Sequence, residues 1–223
     1  MKIIGVGNTA EVFEYEEGKV CKLFVAGYPE EYVELEYRNA KELYRLGIRV
    51  PQPFEVVEVS GRYGIVYEKI EGVSLSQYLL ERRECLDDCL DEFARLHKEI
   101  LKQKSTNLLS YKEFLLGMLE GKGAKDAGLF EKIQMLPDGE AVLHGDFHTN
   151  NVLITKEGNF FAIDFMNVCY GPALFDVART YHFMSEVSVA IADAYLGKMD
   201  VAKEELKQYL DIIRECRKYE TWE

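Results

Sequence analysis

Residues 144–151 read His-Gly-Asp-Phe-His-Thr-Asn-Asn, and the triplet Ile163-Asp164-Phe165 follows soon after. Short apolar stretches border both segments: Ala141–Leu143 precedes the first, Val152–Thr155 follows it, and Phe160–Ile163 leads into the second. Apolar runs of this length between polar or turn residues are typical of buried strands. We therefore expect polar side chains to gather where these strands end.

Asp146, Asn151 and Asp164 supply oxygen atoms in these segments. Converging oxygens suit Mg²⁺, which proteins usually hold with one or two carboxylates plus substrate phosphates. Asp146, if free of the metal, can accept a proton from a hydroxyl and orient it for attack. Each residue alone is also a common turn former, and His144 alone fits a structural histidine. It is their joint spacing that favours a site.

The overall charge limits the classes of partner. The chain has 223 residues, of which 39 are acidic and 27 basic, for a net charge of −12. This argues against a nucleic-acid partner, which needs concentrated Lys and Arg to displace counterions from phosphates. It also argues against docking on anionic membranes.

The sequence contains no sign of a membrane span or a signal peptide. No run of about 18 apolar residues occurs. The first residues turn polar and acidic after a single Lys, unlike a signal peptide. The five cysteines are scattered, and no CxxC pair is present, which fits a reducing compartment. We expect a cytoplasmic protein.

Strand patterns dominate the first part of the chain. Two strands are predicted around the turn at Gly18 and two more around the turn at Gly61. Between the two pairs, a helix is predicted over Glu30–Leu46, where apolar residues recur at helical spacing. Gly47 and the prolines after it end this helix.

Helical patterns take over near residues 68–72. Helices are predicted over Glu84–Lys104 and Tyr111–Glu120, and again from Leu174 onward. The glycine-rich residues 117–128 are expected to be loose, and the strands beside residues 144–151 form one compact β patch. The predicted division is therefore a β-rich domain over residues 1–70 and a helical domain over residues 71–223.

The motif HGDFHTNNVLI…IDF resembles the catalytic signature of the aminoglycoside phosphotransferase and choline kinase family, within the protein-kinase-like fold. The resemblance extends from Gly5 to Arg179. It implies an α+β bilobal fold, with a small antiparallel-sheet lobe of five strands and one helix and a mostly helical large lobe. It also implies an ATP-dependent transfer of the γ-phosphoryl group to a hydroxyl of a small molecule.

The resemblance assigns roles to the residues around the motif. Asp146 becomes the catalytic base, and Asn151 and Asp164 hold Mg²⁺. His148 stands where many protein kinases carry a Lys that touches the transferred phosphate, although packing against the loop is an equal alternative. Asp176 resembles the family's Asp that hydrogen-bonds the catalytic loop from below.

The resemblance also implies a nucleotide site in the first domain. Lys22 would contact the α- and β-phosphates of ATP while paired with Glu36, and Glu34 is the alternative partner. A phosphate-covering loop is expected at Gly5, Gly7, Asn8 and Thr9. In the hinge between the lobes, adenine would bond the carbonyl of Glu68 and the N–H of Ile70.

Three departures from the protein-kinase pattern favour a small-molecule acceptor. Gly145 replaces the Arg that pairs with a phosphorylated activation loop. The segment between Asp164 and Asp176 is too short to bind a peptide, and Met166 replaces a glycine. Aminoglycosides, amino alcohols and sugars all remain possible acceptors.

Other functions remain open at this level. A catalytically silent nucleotide-binding pseudokinase would retain the fold, and a protein kinase is a further alternative. Residues 145–148 also match a GDxH metallophosphatase motif, but that class needs further histidine motifs to fill a two-metal site, and the chain has four histidines.

Overall fold

The computed structural model describes residues 2–220, the last of them by its backbone only, and it contains a five-stranded antiparallel sheet. Its strands are β1 (Ile3–Val6), β2 (Ala10–Glu14), β3 (Lys19–Phe24), β4 (Pro53–Val59) and β5 (Arg62–Glu68). Their order across the sheet is β1-β2-β3-β5-β4, which places β3 at the centre. The predicted sheet of five strands is confirmed.

Alternation along β3 gives the sheet two different faces. Cys21 and Leu23 point to one side, where they pack against Phe13 in a small separate cluster. Lys22 and Phe24 point to the other side, because neighbouring residues of a strand face opposite ways. The second side is the one on which the main core lies, since Phe24 belongs to it.

Helix α1 (Glu30–Arg45) connects β3 to β4 and packs on the sheet. Val33, Ala40 and Leu43 recur at the spacing of one helical face and are fully buried. Gly47 follows the helix with a φ of 75°, a left-handed conformation that suits glycine. The predicted helix is confirmed.

The rest of the chain is mostly helical. The helices are α2 (Leu75–Glu81), α3 (Leu86–Leu101), α4 (Tyr111–Gly121), α5 (Ala127–Met135), α6 (Ala173–Val187), α7 (Val189–Met199) and α8 (Lys207–Glu220). Five short strands lie among them: β6 (Gly72–Ser74), β7 (Ala141–Leu143), β8 (Val152–Thr155), β9 (Phe160–Ala162) and β10 (Cys169–Gly171).

The short strands form two sheets and not the single patch expected. β8 lies between β6 and β9, while β7 pairs with β10. The sequence patterns missed β6 and β10, because three-residue strands are too short to show a period. They also missed α5, which begins within residues 117–128, the segment expected to be loose. Asp126 caps this helix by accepting a hydrogen bond from the Leu129 N–H at 3.0 Å.

One hydrophobic core joins the sheet to the helices. It contains Phe24 and Ile65 of the sheet and Val33 of α1 together with Phe93 of α3 and Phe147. The predicted boundary between residues 70 and 71 stays a prediction, and Met1 and residues 221–223 lie outside the described residues. Among residues 2–220, no helix is both long and apolar enough to cross a bilayer.

Candidate active site

Lys22 lies at the centre of an ion cluster that joins three parts of the chain. Its Nζ is 2.7 and 2.9 Å from the two carboxylate oxygens of Glu36 on α1. It is also 2.9 Å from Oδ1 of Asp164, which follows β9. The expected pair of Lys22 with Glu36, and not with Glu34, is therefore present.

Burial and charge set the protonation of this cluster. The Glu36 side chain is 1% exposed and that of Lys22 is 17% exposed. Burial opposes the charge on Lys22, but the carboxylates of Asp164 and Glu36 outweigh it and raise the pKa of Lys22. Lys22 is therefore a fixed cation, and the Tyr67 hydroxyl supports its partner Glu36 with a hydrogen bond of 3.3 Å.

Residues 144–151 place Asp146, His148 and Asn151 together. The Asn151 amide Nδ2 donates to the backbone oxygen of Asp146 at 2.9 Å and to its Oδ2 at 3.0 Å. His148 Nε2 is 3.5 Å from the same Oδ2. His148 Nδ1 accepts from the Asn150 N–H at 3.3 Å, and its Nε2 faces both Asp146 and, at 3.3 Å, the amide nitrogen of Asn151.

The Asp146 carboxylate remains charged in this setting. Burial would raise its pKa, but the hydrogen bond from His148 and the charges of His148, Arg179 and His144 lower it to about 2. Among the described residues, none donates to Oδ1 of Asp146. An ionised oxygen therefore stays available to accept a hydrogen bond.

Helix α6 holds residues 144–147 from below. Asp176, which is fully buried, accepts from the His144 N–H at 2.7 Å and from the Gly145 N–H at 2.9 Å. Arg179 Nε donates to the Gly145 carbonyl at 2.6 Å, and the Thr180 hydroxyl donates to the Phe147 carbonyl at 2.8 Å. The supporting contact expected of Asp176 is confirmed.

Two hydrogen bonds link Asp176 to the helices behind it. His97 Nε2 lies 3.1 Å from Oδ2 of Asp176, and His97 Nδ1 lies 2.6 Å from the Tyr195 hydroxyl. All three side chains are buried. The backbone of residues 144–145 is therefore anchored through Asp176 to α3 and α7.

Gly145 occupies a position that excludes other residues. Its φ of 77° lies in the left-handed region, and a Cβ there would meet the Asn167 carbonyl oxygen at 2.1 Å. A side chain at this position therefore needs both a strained backbone and a displaced neighbour.

The expected phosphate-covering loop is the turn between β1 and β2. Gly7 N–H donates to the Ala10 carbonyl at 2.8 Å, and Val25 N–H donates to that of Thr9 at 2.9 Å. Gly7 and Asn8 are exposed, whereas Gly5 and Thr9 are partly buried. No hydrogen bond between this turn and the Lys22 cluster is found among the described residues, so its role stays a prediction.

The expected hinge follows β5. Glu68 closes that strand, and its N–H donates to the Gln52 carbonyl at 2.8 Å. The Ile70 N–H has no acceptor among the described residues, so it is available to a ligand. Its role in binding adenine, like that of the Glu68 carbonyl, stays a prediction.

The donor atoms left over in the site fit a magnesium ion. The Asn151 amide nitrogen donates to Asp146, and no described residue donates to the Oδ1 of Asn151. The Asp164 side chain is 44% exposed, and Lys22 bonds only its Oδ1. An amide oxygen and a carboxylate are the hard ligands that Mg²⁺ takes beside phosphates. Within the described part of the chain, no group of three or more His, Cys, Asp or Glu side chains could hold a metal by itself.

The supporting contacts of four residues were not predicted from the sequence: Asn39, Tyr67, Arg179 and Thr180. Arg179 and Thr180 follow Asp176 at the three- and four-residue spacing of one helix face, a signal that was present in the sequence. Asn39 follows Glu36 by three residues in the same way. Tyr67 carried no such signal, because its contact with Glu36 depends on how α1 packs on the sheet.

Solved structures share this fold at low identity. An aminoglycoside 3′-phosphotransferase of type VIII has a TM-score of 0.75 at 17% identity, over 96% of this chain and 93% of that one. An aminoglycoside phosphotransferase from Streptomyces rimosus, in complex with ADP and streptomycin, has a TM-score of 0.63 at 13% identity over 91% and 89%. The choline kinase of Streptococcus pneumoniae has a TM-score of 0.65 at 16% identity over 98% and 84%.

Sequence comparison gives the family. No curated protein matches this sequence significantly. The model of the phosphotransferase enzyme family matches residues 1–208, which is most of the chain. The similar structures independently confirm the expected kinase-like α+β fold. The chain therefore belongs to the phosphotransferase enzyme family.

Proposed function

We propose that this protein transfers the γ-phosphoryl group of ATP to a hydroxyl of a small molecule of the aminoglycoside, amino-alcohol or sugar type. One observation carries the proposal. A fixed cation, Lys22, meets Asp164 at 2.9 Å, and the Ile163 N–H beside Asp164 bonds the backbone of Asn151 at 2.9 Å. Asn151 in turn bonds Asp146. The groups needed to hold phosphates and to orient a hydroxyl are thereby contiguous.

The nucleotide side of the site consists of Lys22 and its partners. Glu36 and Asp164 keep Lys22 charged and limit its rotation, so its ammonium group is prepared to bind the non-transferred phosphates of ATP. Asn151 Oδ1 and the Asp164 carboxylate are the groups that would hold Mg²⁺. Bound there, Mg²⁺ would neutralise charge on the phosphate oxygens. The nucleotide-bound relative from Streptomyces rimosus supports ATP as the donor.

The acceptor side of the site consists of Asp146 and its partners. Asn151 and His148 both face Oδ2, so Oδ1 is the oxygen that accepts the hydrogen of the acceptor hydroxyl. The acceptor oxygen then forms its bond to Pγ while the bond between Pγ and the bridging oxygen breaks, leaving ADP. The proton passes to Asp146 and from there to solvent.

The low pKa of Asp146 defines its contribution. A carboxyl with a pKa of about 2 is a weak base, so Asp146 acts mainly by orienting the hydroxyl and by attracting its proton late in the transfer. A loose phosphoryl-transfer transition state needs little prior deprotonation, and positioning plus electrostatics supply most of the acceleration.

A panel of hydroxylated acceptors tests the proposal. The protein is incubated with Mg²⁺ and ATP and each acceptor, and mass spectrometry looks for a gain of about 80 Da, the mass of one phosphoryl group. We expect Asp146→Asn to lower turnover by about 10²- to 10⁴-fold while ATP still binds. Asp88→Asn, an exposed change on α3, is the matched control and keeps full turnover.

Two results would count against the proposal. Turnover of Asp146→Asn within about tenfold of wild type would remove Asp146 as the orienting base. Binding of ATP with Mg²⁺ but no phosphorylated product across cationic, anionic and neutral acceptors would favour a catalytically silent nucleotide-binding protein.

A further inference from the structure

Asn39 is a buried polar residue of α1 that the proposed reaction leaves unused. It is 2% exposed, and its Nδ2 donates to the Phe165 carbonyl at 2.9 Å and to the Val168 carbonyl at 3.4 Å. Both carbonyls belong to the turn that directly follows Asp164, which Val168 N–H also closes by donating to Phe165 at 3.3 Å. A single carboxamide of α1 therefore ties both ends of this turn together.

The same face of α1 contacts the site a second time. Glu36 and Asn39 are three residues apart and so lie side by side on the helix. Glu36 bonds Lys22, Asn39 bonds the turn after Asp164, and Lys22 bonds Asp164. Helix α1 therefore contacts both Lys22 and the turn after Asp164, and so it fixes the distance between the Lys22 ammonium and the Asp164 carboxylate.

Asp164 needs such support because its backbone is strained. Its φ of 69° lies in the left-handed region, which is unfavourable for a residue other than glycine. Such a conformation persists only where the surroundings determine it. The side chain is 44% exposed, so packing of the carboxylate itself contributes little. The direction of the carboxylate depends on its bond from Lys22 and on the backbone on either side of it.

Contacts on both sides of Asp164 hold that backbone. Before Asp164, the Ile163 N–H donates to the Asn151 carbonyl at 2.9 Å. After it, Phe165 is held through its buried ring, which lies near the rings of Tyr67 and His144, and through its carbonyl, which Asn39 bonds. Of these contacts, only that of Asn39 reaches across from α1.

We propose that Asn39 is a positioning residue that holds the Asp164 carboxylate in the direction required for metal-bound nucleotide. This inference rests on the proposed function of the site. Removing a partner that orients a metal ligand typically lowers metal affinity or activity by about 10- to 100-fold. We expect an effect of that size on the part of nucleotide binding that depends on Mg²⁺.

The test compares Asn39→Ala with Tyr37→Phe. Tyr37 also lies on α1 and donates one side-chain hydrogen bond to a carbonyl, that of Phe54 on β4, at 2.7 Å. Its removal therefore costs α1 a comparable bond away from Asp164. For each protein, ADP affinity is measured by calorimetry with Mg²⁺ and with EDTA, and amide exchange of residues 163–168 is measured without ligand.

We expect Asn39→Ala to lose about tenfold or more of the affinity gained from Mg²⁺, to change little in EDTA, and to exchange faster over residues 163–168. Tyr37→Phe retains the wild-type gain and exchange at those residues. If Asn39→Ala matches Tyr37→Phe in both measurements, Asn39 is only structural and the inference is wrong. If the alanine variant does not fold, Asn39→Ser, which retains one donor, takes its place.

Failure of the proposed function gives a different result. In that case the wild-type protein itself gains no ADP affinity from Mg²⁺. The exchange measurement needs no ligand, so it still decides whether Asn39 holds the segment. Unchanged exchange in Asn39→Ala contradicts the positioning role, whatever the outcome of the binding experiment.

Discussion

Gly145 separates Asp146 from His144 at a point where only a glycine fits. Its left-handed backbone and its approach to the Asn167 carbonyl both exclude a side chain. The sequence by itself marks Gly145 only as the residue that replaces the protein-kinase Arg. The structure adds a second reason for a glycine, since the turn after Asp164 lies against the loop that carries Asp146.

We expect Gly145→Ala to lower both the melting temperature and the turnover, because the new methyl group must displace the Asn167 backbone. Gly117→Ala is the matched control, since Gly117 lies within α4 and its added Cβ would meet nothing within 4 Å. Alanine there should stabilise the protein by about 0.5–1 kcal/mol. Thermal unfolding of both variants measures the contrast, and equal melting temperatures would contradict it.

The pKa of Asp146 predicts the pH dependence of the reaction. Because His148, Arg179 and His144 lower that pKa to about 2, the carboxylate stays ionised at any pH well above it. A lowered carboxyl pKa stabilises the fold above the unfolded-state pKa of about 3.9, and this stabilisation is lost as the pH falls through the folded-state value. Protonation of Asp146 should therefore not limit turnover between about pH 5 and 8.

We expect His148→Gln to raise the pKa of Asp146, because burial raises this pKa and His148 would no longer lower it. The acid limb of kcat/KM should move to higher pH in this variant. In profiles from about pH 4 to 8 with an acceptor found in the panel, the wild-type protein should show no acid limb, whereas kcat/KM of His148→Gln should fall towards pH 4. An acid limb in the wild-type protein that disappears in His148→Gln would mean that His148, and not Asp146, controls the limb.

Among the elements, α6 has the largest part in shaping the loop of residues 144–147. Asp176, Arg179 and Thr180 lie on one face of it and bond four backbone groups of residues 144–147. The helix therefore serves as a template for a loop that has no regular structure of its own. Loops positioned by rigid elements in this way commonly carry catalytic residues.

We expect Thr180→Val to lower the free energy of unfolding by about 1–3 kcal/mol, because it leaves the buried Phe147 carbonyl without its donor. Turnover should fall as well, since Phe147 follows Asp146. Ser185→Ala is the control on the same helix, where the only bond of the hydroxyl to a described residue is to the His182 carbonyl one turn back. Urea unfolding and turnover of both variants test this, and equal losses would argue against a template role for α6.

Periodicity predicted the elements whose burial follows a regular repeat. Helix α1 and the strands around Gly18 and Gly61 were predicted because apolar residues recur along them at helical or strand spacing. β6, β10 and α5 were not. The two strands exist because partners elsewhere in the chain complete their hydrogen bonds, and α5 is short and interrupted by Gly128.

At the scale of the whole molecule, hydrogen bonds as well as the continuous chain connect the first part, with the five-stranded sheet and α1, to the mostly helical part. Glu42 of α1 accepts hydrogen bonds from Ser105 and Asn107 beyond α3, at 2.5 and 3.2 Å. The Ala162 N–H of β9 donates to the Arg49 carbonyl at 2.9 Å. Together with the shared core, these contacts make independent folding of the two predicted domains unfavourable.

We expect a single cooperative unfolding transition. Scanning calorimetry should give a calorimetric enthalpy equal to the van't Hoff enthalpy, as two-state unfolding requires. Far- and near-ultraviolet circular dichroism should report the same midpoint. Two resolved transitions would instead show that residues 1–70 and 71–223 are separate folding units.

The sequence alone determined the family, the five-stranded sheet, α1 and the identity of the candidate catalytic residues. These depend on local repeats and on a short motif, which the order of residues contains directly. Only the tertiary structure decided that Lys22 pairs with Glu36 and Asp164 together, that Asn39 of α1 bonds the turn after Asp164, and that Arg179 and Thr180 join Asp176 in supporting the loop. Such contacts join residues as far apart as 22 and 164, and chain packing sets their distances.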